Sequence, residues 1–214
     1  MLKLYDFFRS GAAYRTRIAL NLKGLDYEQS AIHLTRDGGQ QFSEEYAALN
    51  PQKLVPTLID GETVLIQSMA IMEYLEDAYP EPSLLPDGAR ARARVRGLAN
   101  IVACEIHPVN NLRVRLYLIN EMGVSRDDQK TWIANWIHLG FEAYEALLGD
   151  AASGRFSHGD LPGMADACLI PQVANARLNE VDISAFPRIL EIDAAAKEHP
   201  AFEAALPANQ PDAE

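Results

Sequence analysis

The sequence has only two cysteines, Cys104 and Cys168, among its 214 residues. They lie far apart and match no CxxC or zinc spacing, which argues against a disulfide scaffold and fits a reducing compartment. Positive charge is scarce: 19 Lys and Arg face 30 Asp and Glu, for a net charge of -11 and a pI near 4.9. A duplex nucleic-acid binder carries the opposite sign, so no nucleic-acid partner is expected. No uninterrupted apolar run reaches the roughly 18–20 residues of a membrane span, so no membrane partner is expected either. The stretch Met1 to Phe8 lacks the apolar core and cleavage site of a signal peptide, and a cytoplasmic location is the expectation. None of the five histidines falls into a Ser-His-Asp or metal-ligand spacing, so no metal is expected.

Apolar residues make up 48% of the chain, enough to build a core and too many for extensive disorder. The first 80 residues mix strands with helices. Leu2 to Phe7 alternates as a strand, and Arg9-Ser10-Gly11 breaks it. Ala12 to Lys23 has the spacing of a helix, stopped by Gly24. A second strand is expected from Tyr27 to Leu34, and a short helix from Ser43 to Leu49. Asp60-Gly61 then turns a hairpin between Leu54–Ile59 and Thr63–Ile66. Ser68 is placed to cap a helix over Met69 to Ala78. Pro82, Pro86 and Gly88 mark a linker, after which the pattern is helical. One long or broken helix is expected over Ala89–Met122, with further helices over Asp127–Leu148 and Met164–Leu178 and one starting at Pro187. The expected architecture is a small α/β domain, residues 1–80, followed by an all-α domain, residues 87–214.

Several residues have chemical potential. A strand feeding a helix at Arg9-Ser10-Gly11-Ala12-Ala13 aims free N–H groups and a helix dipole at one spot. That spot suits an anion, including a thiolate, although Ser10 also serves as an ordinary N-cap. Val55-Pro56 precedes a strand, where a cis bond would turn the Val55 backbone groups outward to an extended ligand. Gln67-Ser68 offers a second helix start suited to a carboxylate. Arg9, Arg113, Arg115 and Arg177 are candidate carboxylate grips, whereas Arg90, Arg92, Arg94 and Arg96 are expected to be solvated. His107-Pro108 in mid-helix predicts a kink.

Together these pieces resemble the glutathione transferase family, specifically its zeta class of maleylacetoacetate and maleylpyruvate isomerases. The matching stretches span the chain: Arg9-Ser10 with Arg15 to Leu20, Gly38 to Phe42, Leu49-Asn50-Pro51, Val55 to Leu58, Gln67-Ser68, Ile106-His107-Pro108 with Asn110-Asn111, Met164-Ala165-Asp166, Pro171 to Ala176, and Gln210-Pro211-Asp212. The resemblance implies a thioredoxin-like domain that binds glutathione, a helical domain that supplies much of the substrate pocket, and a homodimer. It places Ser10 near the glutathione sulfur, Val55 on the cysteinyl backbone beside a cis Pro56, and Gln67 and Ser68 on the γ-glutamyl end. Gln41, His107 and Asn111 are implied as further glutathione contacts. Arg9, Arg113 and Arg177 are implied to grip a small dicarboxylate substrate, with Ser10, Arg9 and Arg177 carrying the catalysis.

The implied reaction is cis–trans isomerisation of a maleyl double bond conjugated to a ketone. Glutathione thiolate adds, the resulting single bond rotates, and elimination returns the fumaryl isomer and the thiol. Two departures from the zeta pattern stand out. Gly11-Ala12 replaces the usual Ser-Cys pair, so thiolate stabilisation falls to Ser10, backbone N–H groups and Arg9. Gly163 replaces the usual Ser or Thr ahead of Asp166, with slightly lower stability expected. Two other readings stay open at this point: a transferase that conjugates electrophiles, and a non-catalytic glutathione-binding protein.

Overall fold

The computed structural model describes residues 1–214 and divides into two compact units: residues 1–84 with 198–214, and residues 85–197. The first unit contains β1 (Leu2–Asp6), α1 (Gly11–Leu22), β2 (Tyr27–Ala31), α2 (Glu44–Leu49), β3 (Thr57–Asp60), β4 (Thr63–Ile66) and α3 (Ser68–Ala78). The strands form one mixed sheet in the order β2-β1-β3-β4. β1 is parallel to β2, and β3 is antiparallel to both β1 and β4. Alternation in β1 sends Leu2 and Leu4 into a core with Leu20, Leu58, Ile71 and Leu75. α1 ends as its glycine predicts: Gly24 sits at φ 64, and the Gly24 and Leu25 N–H groups bond back to Asn21 and Leu20.

α1 also buries polar side chains, and Arg17 is the largest commitment. It is fully buried. Its guanidinium donates to Asp6 Oδ2 at 2.8 Å, to the Phe8 carbonyl at 3.0 Å and to the Ala205 carbonyl at 3.2 Å. Burial pushes the Asp6 carboxyl up, and the charge of Arg17 works against that rise. At the other end of α1, Lys23 Nζ meets Glu76 at 3.0 Å and the carbonyls of Tyr79 and Pro82 at 2.8 and 3.0 Å.

Residues 198–214, expected within the helical domain, pack instead against α1. α10 (Pro200–Ala205) supplies the Ala205 carbonyl to Arg17 and the Ala201 carbonyl to Asn21. Beyond it, Asp212 accepts from the Phe8 N–H at 3.1 Å, and Gln210 accepts from Gln29 at 2.8 Å. These partners are distant in sequence, so no local pattern marks this packing.

The second unit is all helical: α4 (Ala89–Asn100), α5 (His107–Asn110), α6 (Leu112–Asn120), α7 (Arg126–Leu147), α8 (Met164–Leu178) and α9 (Pro187–Lys197). The stretch expected as one long or broken helix is broken. A π-helical turn, Ile101–Ile106, joins α4 to α5 directly ahead of Pro108, whose missing N–H interrupts regular pairing. α7 lies close to this turn at Gly140, where a Cβ would fall 2.3 Å from the Ile106 side chain. Arg94, expected to be solvated, instead holds Asp150 through two bonds of 2.8 Å and also donates to the Ser157 and Leu147 carbonyls. Gly163 caps α8, and its N–H donates to the buried Asp166 at 2.9 Å. No helix is long and apolar enough to cross a membrane.

Two stability predictions follow from this packing. Arg17→Ala strands the Asp6 carboxylate and should cost about 3–5 kcal/mol in urea unfolding. Gly163→Ser adds a capping oxygen at extended φ/ψ and should raise stability by a few tenths of a kcal/mol in the same measurement.

Candidate active site

Sheet register gathers the candidate residues of the first unit. Tyr5 pairs with Thr57, and Thr57 pairs with Ile66. The chain leaving β1 toward Arg9 and Ser10, the chain entering β3 through Val55 and Pro56, and the chain leaving β4 into Gln67 and Ser68 therefore share one end of the sheet. Asp6 pairs with Ala31, so the β2 exit toward Gln41 shares that end too. Neighbouring strands lie about 4.8 Å apart, which sets the width of this cluster.

Each segment presents unpaired polar groups. Ser10 is the N-cap of α1, and its Oγ accepts from the Ala13 N–H at 3.2 Å. The ordinary capping role is thus present, and it leaves the Ser10 O–H free to donate. The Gly11 and Ala12 N–H groups have no acceptor within the chain. Arg9 is exposed, stacks its guanidinium 4.9 Å from the Phe8 ring centroid and pairs with no carboxylate. The Val55-Pro56 bond is cis, and the Val55 N–H and C=O make no hydrogen bond within the chain. A buried network shapes this loop. Tyr46 Oη donates to the Leu54 carbonyl at 2.7 Å and lies 2.9 Å from Thr57 Oγ1, while Asn50 Nδ2 reaches the same two atoms at 2.8 and 3.0 Å. Burial pushes the Tyr46 phenol up, so it remains a donor at neutral pH.

The start of α3 differs by one residue from the expected cap. Gln67, at φ 69, is the N-cap, and Ser68 is the first helical residue. The Gln67 carbonyl accepts the first helical bond, from Ile71, and its side-chain amide donates to Gln52 at 2.6 Å. A left-handed glutamine costs about 1–3 kcal/mol of backbone strain, a cost that clusters at ligand clamps. Ser68 is buried and keeps both its hydroxyl and its N–H unpaired. Gln41 is also buried; its Nε2 donates to the Leu34 carbonyl at 3.1 Å, and its Oε1 has no partner.

The other predicted residues belong to the second unit. His107 opens α5, directly after the π turn. Asn111 caps α6, its Oδ1 accepting from Val114 N–H at 3.1 Å, which leaves its amide N–H groups free. Arg113 is exposed and has no carboxylate partner. Arg177, near the end of α8, already holds a carboxylate: Asp193 on α9 accepts from both terminal nitrogens, at 3.1 and 2.5 Å. Sequence reasoning did not single out Asp193 or Tyr46, and it quoted Asn50 only as part of the Leu49-Asn50-Pro51 stretch, with no role. No local motif marks Asp193 or Tyr46, because each acts through a partner on another segment.

The two-unit order, the mixed sheet and this polar sheet end define a glutathione transferase fold. Residues 1–77 match the family model for the glutathione S-transferase N-terminal domain. A maleylpyruvate isomerase of a Ralstonia species is 51% identical over 212 residues, covering 99% of each chain. A holo structure of a bacterial zeta-class maleylpyruvate isomerase superposes with a TM-score of 0.96 at 51% identity, covering 99% of this chain and 100% of the other. A maleylacetoacetate isomerase of Methylobacterium extorquens AM1, with malonate and glutathione bound, gives a TM-score of 0.94 at 40% identity, covering 99% of each chain. The chain belongs to the zeta class of glutathione transferases, the family of the maleylpyruvate and maleylacetoacetate isomerases.

Tyr46→Phe should cost about 1 kcal/mol of stability. It should also speed amide exchange at residues 54–57 relative to β1, measured by hydrogen–deuterium exchange.

Proposed function

We propose that this protein is a glutathione-dependent cis–trans isomerase of a maleyl keto-diacid, either maleylpyruvate or maleylacetoacetate. The supporting observation is the row of unpaired donors and acceptors at one end of the sheet, in a family whose full-length relatives bear these names. Those groups fit glutathione. The Val55 N–H and C=O match an extended peptide backbone. Ser68 and the start of α3 suit the γ-glutamyl carboxylate, and the unpaired Oε1 of buried Gln41 accepts a further N–H. His107 and the Asn111 amide are additional contacts in the proposal.

Glutathione, when bound, supplies the thiolate that adds to the maleyl double bond and leaves after rotation. The chain's task is to hold that sulfur as an anion. A free thiol has a pKa near about 8.5, and the Gly11 and Ala12 N–H groups, the Ser10 hydroxyl and Arg9 all favour the charged form. Negative charge that builds on the conjugated ketone needs a fixed cation or N–H donor, a role assigned to Arg9 and Arg177. Arg9, Arg113 and Arg177 fix the substrate carboxylates while the bond between them turns, and orientation of that kind lowers the barrier. We further infer a cytoplasmic homodimer, as implied by the family resemblance.

The test is an absorbance assay with both maleyl diacids and glutathione titrated from zero. Fumaryl product should form with no loss of glutathione. Ser10→Ala and Arg177→Ala should each lower turnover, by about 10²-fold where a charge-stabilising donor is lost. Near-normal rates in both variants would sink the residue assignment. Conjugation of a generic electrophile without isomerisation would overturn the function and leave the fold intact.

A further inference from the structure

Arg177 is the one proposed substrate residue that already faces a carboxylate of its own chain. Asp193 is buried, whereas the Arg177 side chain is 43% exposed. The two Arg177–Asp193 bonds use one N–H from each terminal nitrogen, so the pairing is end-on. A guanidinium carries five N–H donors in a rigid plane. Two are spent on Asp193. The remaining three are Nε–H and two outer N–H groups, and Nε–H with the outer N–H on the same side forms a second fork suited to another carboxylate. Lys197, one turn along α9, also reaches Asp193, at 2.8 Å. Two cations around one anion leave the cluster at +1, on a chain whose net charge is -11.

We propose that Asp193 is a positioning residue for the isomerase reaction: it locks the Arg177 guanidinium so that its free fork meets a substrate carboxylate. The inference rests on the reading of Arg177 as a substrate residue. A flexible arginine must be frozen each time it binds, and Asp193 does that in advance. The pairing leaves the guanidinium charged. Asp193 raises the Arg177 pKa, and although burial alone would push the Asp193 carboxyl up, the hydrogen bonds from Arg177 and Lys197 outweigh it and hold the carboxyl below its usual range. The site therefore keeps both its cation and the anion that orients it at neutral pH.

The experiment compares Arg177→Ala, Asp193→Asn and the double variant. It reads KM for the diacid and for glutathione, the calorimetric Kd of malonate for the glutathione-free protein, and the thermal midpoint. Asp193→Asn should raise KM for the diacid and Kd for malonate at least tenfold, with KM for glutathione within twofold. In the Arg177→Ala background it should add less than twofold. A lowered thermal midpoint with unchanged KM and Kd would make Asp193 a mere staple between α8 and α9 and overturn the proposal. No effect of Arg177→Ala would instead remove the underlying reading. If Asp193→Asn fails to fold, Asp193→Glu keeps the charge but moves the carboxylate. It should raise the diacid KM alone, and an unchanged value would again overturn the proposal.

Discussion

Much of the first unit depends on one buried guanidinium. Arg17 sits in the core without access to water, and the cost of that placement is several kcal/mol unless every donor is matched. Its partners come from three separate segments: Asp6 at the end of β1, the Phe8 carbonyl in the turn beyond it, and the Ala205 carbonyl of α10. Satisfying the cation therefore fixes the path from strand to helix, where Arg9 and Ser10 lie. It also holds the C-terminal tail in place, so that Asp212 can take the Phe8 N–H. The turn that presents the free N–H groups of α1 is thus braced from both sides by hydrogen bonds to buried or part-buried groups.

The sheet then turns this local geometry into a site. Parallel pairing of β1 with β2 and antiparallel pairing across β3 and β4 send four connections out at one end. Backbone groups that leave a sheet normally find partners or water. Here Tyr46 and Asn50 satisfy the inner carbonyl of Leu54 and both also meet the Thr57 hydroxyl, while the outer groups of the adjacent Val55 stay open. Rigid support directly beneath an unpaired edge is what an extended ligand needs, because the groups are ordered before it arrives.

The secondary structure was largely legible because its signals are local. β1 alternates, Gly24 stops α1, Asp60-Gly61 turns the hairpin, and Pro187 opens α9. The candidate site residues of the first unit were picked out through their family motifs rather than through composition, and sheet register brings their segments to one end. What escaped depended on distance in sequence. Arg94 stands in one alternating run with Arg90, Arg92 and Arg96, and only the fold brings Asp150 and the Ser157 carbonyl to it. The tail after Lys197 carries no mark of its destination, since Asn21 and Arg17, which receive it, lie about 180 residues earlier. The N-cap at Gln67 was displaced by one residue because a left-handed glutamine is disfavoured locally, and tertiary context overrides that preference.

The Gly11-Ala12 sequence, which removes the side chains that zeta enzymes usually place there, bears on how a sulfur anion is held. A helix N-terminus stabilises negative charge through backbone N–H groups, and these are present whatever side chain follows. Gly11 and Ala12 supply two such groups without an internal acceptor, and the Ser10 hydroxyl adds a third donor that its capping bond leaves free. Small side chains also let a ligand atom approach those N–H groups closely. In the proposed reaction the attacking sulfur belongs to glutathione, so the protein needs no nucleophile of its own at this turn. Loss of the Ser-Cys pair removes an alternative reactive thiol while keeping the field that the reaction uses. In that reaction the thiolate would rest on these donors and on Arg9, while the proposed positioning of Arg177 by Asp193 serves the substrate carboxylates and is independent of the Ser-Cys pair.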